Sequence, residues 1–351
     1  MSEPQSAFAG RMNHMLNEAS LALMVSVGHR TGLFDVMASM PPATSKEIAS
    51  RASLDERYVR EWLAAMTTGG IVEHDGPREQ YTLPADHAAW LTRAAGMDNL
   101  AIGMQYIGML ALVEDQIVDC FRRGGGVPYE AFPKFHALMA EDSGAVQDAT
   151  LLDVTLPLVP GLVDRLREGI DVADVGCGSG HAINLMAEAF PRSRFTGFDL
   201  SAAGIAAARL EAERTGLANA RFAQRDAAHL GERGQFDFIT TFDAVHDQAR
   251  PDLMLAGIAE ALRPGGVYLC GETTASSVLA ENLGHPLGPF MYTVSCMHCM
   301  TVSLAEGGMG LGAMWGEQTA RKMLGEAGFT EIETTHHHGD DLNAYFIASK
   351  G

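Results

Sequence analysis

The apolar positions change their rhythm along the chain. Between Met15 and Met37, residues Leu16, Leu23, Met24, Val27 and Phe34 recur at helical spacing, with Gly28 and Gly32 as expected interruptions. Pro41-Pro42 breaks the chain. Thr44-Ser45-Lys46-Glu47 then reads as a capping box, in which a hydroxyl and a carboxylate three residues apart satisfy free N–H groups at a helix start. Ser53-Leu54-Asp55 opens a second short helix, Glu56 to Thr68, ended by Gly69-Gly70. Ile71-Val72-Glu73-His74 and Gln80-Tyr81-Thr82-Leu83 flank the turn signal Asp75-Gly76-Pro77 and predict a hairpin. Met97, Leu100, Met104, Ile107, Leu110 and Leu112 form an almost uncharged helical face, read as core or as a contact between two copies. From Asp171 the rhythm becomes short apolar strands alternating with helices, the pattern of a parallel sheet.

Three stretches follow from this pattern. Residues 1–95 are helices with a two-stranded ribbon, a winged-helix arrangement; 96–168 form a helical linker that covers a pocket; 169–351 form an α/β domain. Composition narrows the function. With 351 residues, 47% of them hydrophobic and 20% charged, the chain can bury more than one core and is not a disordered sequence. Lys and Arg number 25 against 44 Asp and Glu, a formal net charge of −19, which disfavours nucleic-acid and anionic-membrane partners. The presumed recognition helix, Leu54 to Thr68, sets Arg57 and Arg60 against Asp55, Glu56 and Glu61, too few cations for phosphate contacts. The longest apolar run, Leu21 to Val25, falls short of the roughly 18 residues a membrane span needs. The start, MSEPQSAFAG, lacks the basic and apolar regions of a secretory signal, and five scattered cysteines read as reduced thiols; the expectation is a cytoplasmic protein.

Chemistry enters at Asp174-Val175-Gly176-Cys177-Gly178-Ser179-Gly180, where an apolar strand runs into a glycine-rich turn and a helix from Ala182 to Phe190 follows. Such a turn lets backbone approach a ligand, and the helix start offers free N–H groups. The dinucleotide fingerprint G-x-G-x-x-G needs glycine at 181, which is histidine here, and Asp174 precedes the first glycine by two residues. A carboxylate there suits a ligand bearing an ammonium group better than a pyrophosphate. A second strand, Phe195 to Leu200, ends in Asp199, placed to take both hydroxyls of a ribose. Ala223 to Ala227 is the expected third strand, with Asp226 able to receive an adenine amino group. Phe236 to Asp243 is the fourth, and Leu262 to Leu269 carries a helix into the fifth.

These ordered segments resemble the class I S-adenosylmethionine-dependent methyltransferases, from Val172 to the C-terminus. The resemblance implies a Rossmann-like, seven-stranded sheet closed by a reversed hairpin, whose strands fit Gly328 to Thr335 and Asn343 to Ala348. It implies S-adenosylmethionine as cofactor and S-adenosylhomocysteine as product. The implied contacts are Asp174, Gly176, Gly178, Gly180, Asp199, Asp226 and Asp243, with Leu200, Ala227 and Phe242 beside them.

A winged-helix domain ahead of such a domain is similar to small-molecule O-methyltransferases that dimerise through their N-terminal half, which implies a homodimer and a small-molecule acceptor. In that family a His-Asp pair after the fourth strand supplies the general base and two glutamates hold it. Val245-His246-Asp247, Glu272 and Glu317 match those positions, while Gln248 departs from the family's tryptophan. Histidine suits the work, because its ordinary pKa lies near neutrality and a carboxylate orients it. His298, in Ser295 to Thr301, is the alternate base. Cys296-Met297-His298-Cys299 has half of a zinc-site spacing but no second pair, and His336 and His338 share a strand face; both are read without a metal. Transfer to nitrogen or sulfur, and a regulator that senses the cofactor and binds DNA, are the alternatives.

Overall fold

The computed structural model of the chain describes residues 6–337 and 340–350, without the side chains of Asp340 and Asp341. It forms two compact units, one ending at Ala111 and one beginning at Leu112. The expected 96–168 stretch is therefore divided rather than forming a body of its own.

The first unit begins with α1 (Ala7–Thr31), capped by Ser6, whose hydroxyl accepts from the Ala9 N–H at 3.1 Å. Gly28 does not interrupt this helix, contrary to the sequence expectation. It is there for packing, since a Cβ at Gly28 would stand 2.6 Å from the Trp62 ring and 2.7 Å from Phe34. The break comes at Gly32, before α2 (Leu33–Ala38). The capping box forms at α3 (Ser45–Ala52), with Thr44 and Glu47 exchanging both bonds, and Asp55 caps α4 (Glu56–Thr68). β1 (Glu73–Asp75) and β2 (Gln80–Thr82) make the antiparallel ribbon, and α5 (Ala85–Leu91) and α6 (Gln105–Ala111) complete the unit. Phe34, Ile48, Val59, Trp62, Leu63 and Met66 fill its core. Of the Met97–Leu112 stretch, Ile102, Met109 and Leu110 are buried while Leu100 and Leu112 are exposed. The longer apolar stripe is on α1, where Phe8, Met12, Leu16, Leu23 and Val27 share one face and are exposed.

The second unit opens with α7 (Glu114–Arg123), α8 (Phe135–Thr150) and α9 (Leu162–Glu168). β3 (Asp171–Val175), α10 (His181–Ala189), β4 (Arg194–Asp199), α11 (Ala202–Thr215), β5 (Ala220–Gln224), β6 (Phe236–Phe242), α12 (Pro251–Ala261) and β7 (Leu262–Thr273) then alternate. The chain continues through α13 (Gly288–Val294), α14 (Met300–Ala305), α15 (Glu317–Glu326), β8 (Glu331–His337) and β9 (Asp340–Ser349). The sheet order is β5-β4-β3-β6-β7-β9-β8, parallel as far as β7 and antiparallel in the closing hairpin. β3 is apolar from Val172 to Val175 apart from Asp174 because helices bury it on both faces. The third parallel strand lies three residues earlier than expected, so Asp226 follows β5 and caps a short turn of helix at Ala227–His229. Chain order reverses between β3 and β6, and ligands of open α/β sheets bind at the strand C-termini beside such a reversal. Among the described residues, no single helix is long and apolar enough to cross a membrane.

Candidate functional site

The turn after β3 is held open by its glycines. Gly176, Gly178 and Gly180 all have positive φ, at 79°, 53° and 73°. A Cβ on Gly180 would meet Ala208 Cβ at 2.5 Å, and one on Gly176 would meet Ala244 Cβ at 2.6 Å, so no other residue fits either position. The turn is tied from beneath. Gly176 and Cys177 donate to the Phe198 carbonyl, and Gly178 donates to Asp199 Oδ2 at 2.8 Å. Asp199 Oδ1 accepts from the Ser201 N–H at 2.7 Å. One carboxylate at the end of β4 thus fixes the glycine turn and the start of α11, with a lone pair on each oxygen to spare.

Three acids line this end of the sheet in different states. Asp174 is buried, accepts from Thr240 Oγ1 at 2.8 Å, and has its pKa pushed up to about 7 by burial, with the Asp199 charge adding to the rise. Burial also raises Asp199 above the usual carboxylate range. Asp226 is held below it by its hydrogen bond to His229. Leu200 is exposed beside Asp199, Ala227 is buried beside Asp226, and Phe242 ends β6. Asp243 follows with φ 50°, its N–H on the Gly271 carbonyl and its Oδ2 accepting from Asn343 at 3.3 Å.

Beyond Asp243 the chain turns back under the ends of β6 and β7. His246 and Glu272 are both buried there, and His246 Nδ1 lies 2.5 Å from Glu272 Oε2. Glu272 is held by two further donors: its Oε1 accepts from the Val245 N–H at 2.9 Å, and its Oε2 also accepts from the Trp315 indole at 3.2 Å. Burial pulls the His246 pKa down, but the charge of the adjoining Glu272 carboxylate outweighs it, with Cys299 acting in the same direction, and the imidazole sits well above its ordinary value. Committing Nδ1 to Glu272 leaves Nε2 as the atom able to exchange a proton with a ligand.

His298 follows a different logic. The helix from α13 to α14 contains a wide turn at Ser295–Cys299 that buries His298 and Cys299 side by side in sequence. The His298 ring stacks on Phe135 with centroids 3.6 Å apart and meets Phe132 and Tyr129 edge-on at 4.7 Å and 5.5 Å. Burial and the nearby His246 and His136 push its pKa down to about 3, so it is neutral at working pH and a weak base.

Residues 166–326 match the family described as a methyltransferase domain, and residues 19–93 match an Rv2258c-like winged HTH domain. The chain carries a methyltransferase domain. A fatty-acid O-methyltransferase of Mycolicibacterium smegmatis is 36% identical over 103 residues, covering 29% of this chain and 36% of that protein. The matched stretches span between a quarter and a half of the length of the curated relatives, such as 24% and 48%. Two solved structures, PigF with SAH and the mitomycin 7-O-methyltransferase MmcR, share the fold with TM-scores of 0.74 at 19% and 17% identity. They cover 99% and 98% of this chain, and 100% and 98% of their own.

Within the methyltransferase domain, the glycine turn, Asp174, Asp199, Asp243, His246 and Glu272 lie in or just beyond β3, β4, β6 and β7. Glu317 does not join His246; its carboxylate pairs with His336 at 3.3 Å on a more exposed side, while its N–H donates to the Ala275 carbonyl. The same contact accounts for His336, and His338 lies outside the described residues. Two neighbours escaped the sequence reading, the Trp315 indole on Glu272 and Cys299 near His246. Their only local signals were an indole just ahead of α15 and a cysteine next to a histidine. Asp243, His246 and Glu272 each offer a ligand atom within 4.8 Å of the others. Three of the roughly four lone pairs of Glu272 already accept from N–H donors, and this group reads as a hydrogen-bonded relay.

Proposed function

We propose that the chain transfers a methyl group from S-adenosylmethionine to a hydroxyl of a small molecule, with His246 as general base. The observation that carries this reading is the buried 2.5 Å contact between His246 and Glu272, set at the ends of β6 and β7 beside the glycine turn. The cofactor supplies a methyl group on a sulfonium centre. The residues present fit it: the glycine turn is bare of side chains, the spare lone pairs of Asp199 suit ribose hydroxyls, and Asp174 suits an ammonium group. Asp226 suits an adenine amino group, with Leu200, Ala227 and Phe242 offering apolar surface and Asp243 closing the cradle. A phenol with pKa near 10 keeps its proton at neutral pH, and Nε2 of His246 takes it as the oxygen attacks. Glu272 fixes the tautomer and ring orientation, and Trp315 and the Val245 N–H fix Glu272. Holding acceptor and methyl group in line supplies much of the remaining acceleration.

We also propose that the protein works in the cytoplasm as a homodimer joined through its N-terminal half. The five free cysteines and the exposed stripe on α1 support this.

Calorimetry with S-adenosylmethionine and S-adenosylhomocysteine tests the cofactor, and mass spectrometry of a panel of phenols, amines and thiols tests the acceptor. Both cofactor forms should bind, and Asp199→Ala should weaken them at least tenfold. Absence of binding, or products methylated only on nitrogen or sulfur, overturns the proposal.

A further inference from the structure

Just beyond β7, residues 275–277 cross residues 315–319 at the start of α15. The crossing is close enough to demand Gly316, whose φ is 80° and whose Cβ would stand 2.1 Å from the Ser277 nitrogen. Ser277 ties the two segments together. Its hydroxyl donates to the Trp315 carbonyl at 2.7 Å and accepts from the Thr319 N–H at 3.1 Å. Its own N–H donates to Gln318 Oε1 at 2.7 Å. On the other side of Trp315, the Gly312 N–H donates to the His246 carbonyl at 3.1 Å. The segment that carries Trp315 is thus fixed at both ends, with the buried indole aimed at Glu272 Oε2. That is also the oxygen that meets His246 Nδ1.

We infer that Trp315 and Ser277 are positioning residues for the general base: Trp315 takes up part of the Glu272 charge and so limits its pull on His246, and Ser277 holds the indole in that place. This rests on the methyl-transfer reading above only for the use made of the base. The need for a limit follows from the chemistry. Pairing with a buried carboxylate drives an imidazole toward its charged form, and a charged imidazole takes no proton from an acceptor. A donor on the carboxylate stabilises its negative charge and weakens its hold on the other partner. The indole N–H does this without carrying charge or titrating, so it acts at every pH. Besides Glu272, His246 faces Asp243 and Asp247 on its own loop, and Cys299 and His298 from the wide turn. Residues 277 and 315 can be changed while all of these side chains are kept.

The test follows the His246 Cε1–H resonance of the histidine-labelled, ligand-free full chain across neutral and alkaline pH, assigned by its loss in His246→Gln. Trp315→Phe keeps an aromatic ring but loses the N–H, and should move the midpoint up by about half a unit or more. Ser277→Ala should move it in the same direction by less, and Ser277→Thr, which keeps the hydroxyl, should restore it. Because Ser277 acts through the indole, the double variant Ser277→Ala with Trp315→Phe should go no further than Trp315→Phe alone. The Trp315 indole N–H resonance should titrate together with His246 in the wild type, and the acidic limb of kcat should follow the same order of variants. The inference is overturned if Trp315→Phe leaves the midpoint in place or lowers it, if Ser277→Ala does not move it, or if the two effects add in full. Should Trp315→Phe fail to fold, Ser277→Ala against Ser277→Thr decides alone. The expected titrations with no binding of S-adenosylhomocysteine in calorimetry overturn methyl transfer and leave this coupling standing. Binding of S-adenosylhomocysteine with unmoved titrations overturns the coupling alone.

Discussion

Thr240 Oγ1 on β6 donates a 2.8 Å hydrogen bond to Asp174 Oδ1 on β3, joining the two strands at the point where the sheet changes direction. The bond favours the ionised carboxylate, yet burial wins and the group titrates near 7. Below that pH Asp174 is protonated in the free protein, and a cationic ligand must first displace the proton. Affinity for S-adenosylmethionine should therefore rise with pH through 7 and drop about tenfold per unit well below it. Calorimetry at pH 7 in two buffers of different ionisation enthalpy should detect proton release on binding, and Asp174→Asn should abolish both the release and the pH dependence.

The raised pKa of His246 sets where turnover begins. Only the neutral imidazole accepts a proton, so the acidic limb of the kcat profile should lie above pH 6.5. His246→Ala should lower turnover on a weakly acidic phenol by about 10²–10⁴ with cofactor affinity nearly intact, and the loss should shrink for more acidic phenols. Glu272→Gln removes the charge that raises the imidazole and should move the acidic limb to lower pH. Trp315→Phe removes a competing donor from Glu272 Oε2 but keeps its charge, so the limb should stay at or above its wild-type position. Single-turnover kinetics across pH separates these cases, and an unshifted limb in Glu272→Gln would contradict the pairing.

His181, where a dinucleotide site would carry glycine, bridges α8, α10 and α11: Nε2 lies 2.9 Å from Asp148 and Nδ1 2.8 Å from Glu211. Burial opposes its charge, but the two carboxylates prevail and its folded pKa is raised. A raised folded pKa stabilises below the unfolded value near 6.5, and that stabilisation is lost as pH rises through the folded value. Melting curves of wild type and His181→Ala should therefore differ more at pH 6 than at pH 9. Equal differences at both would show that the ring acts by packing alone.

The exposed stripe of α1 leads to a prediction about assembly. Replacing Leu16 and Leu23 together by glutamate should convert a dimer to a monomer in light scattering at micromolar concentration, with the helical circular dichroism retained. A monomeric wild type would remove the proposed interface.

The glycine turn and the strand ends were legible in the sequence because their constraints are local. Positive φ demands glycine, and parallel strands buried on both faces are apolar throughout. The misreadings came from contacts between distant segments. Gly28 resembles a helix break until Trp62 and Phe34 are seen to press on it. Asp226 looks like the end of a strand, but β5 pairs with β4 only as far as Gln224. Glu317 and Trp315 lie two residues apart ahead of and at the start of α15, and only the fold decides that the indole reaches Glu272 while the carboxylate reaches His336.

The wide turn at Ser295–Cys299 makes this helix sensitive to counting. Successive residues of an α-helix point about 100° apart, so a regular helix could not keep adding inward-facing positions at this rate. The extra residue in the turn sets His298 against Phe135, Cys299 against His246, and Thr301 under the Val127 N–H at 2.8 Å. Losing one residue between Ser295 and His298 would swing everything downstream by roughly that 100°, uncoupling the three contacts at once. Substitution can retune these contacts one side chain at a time, whereas a single-codon deletion would dismantle them.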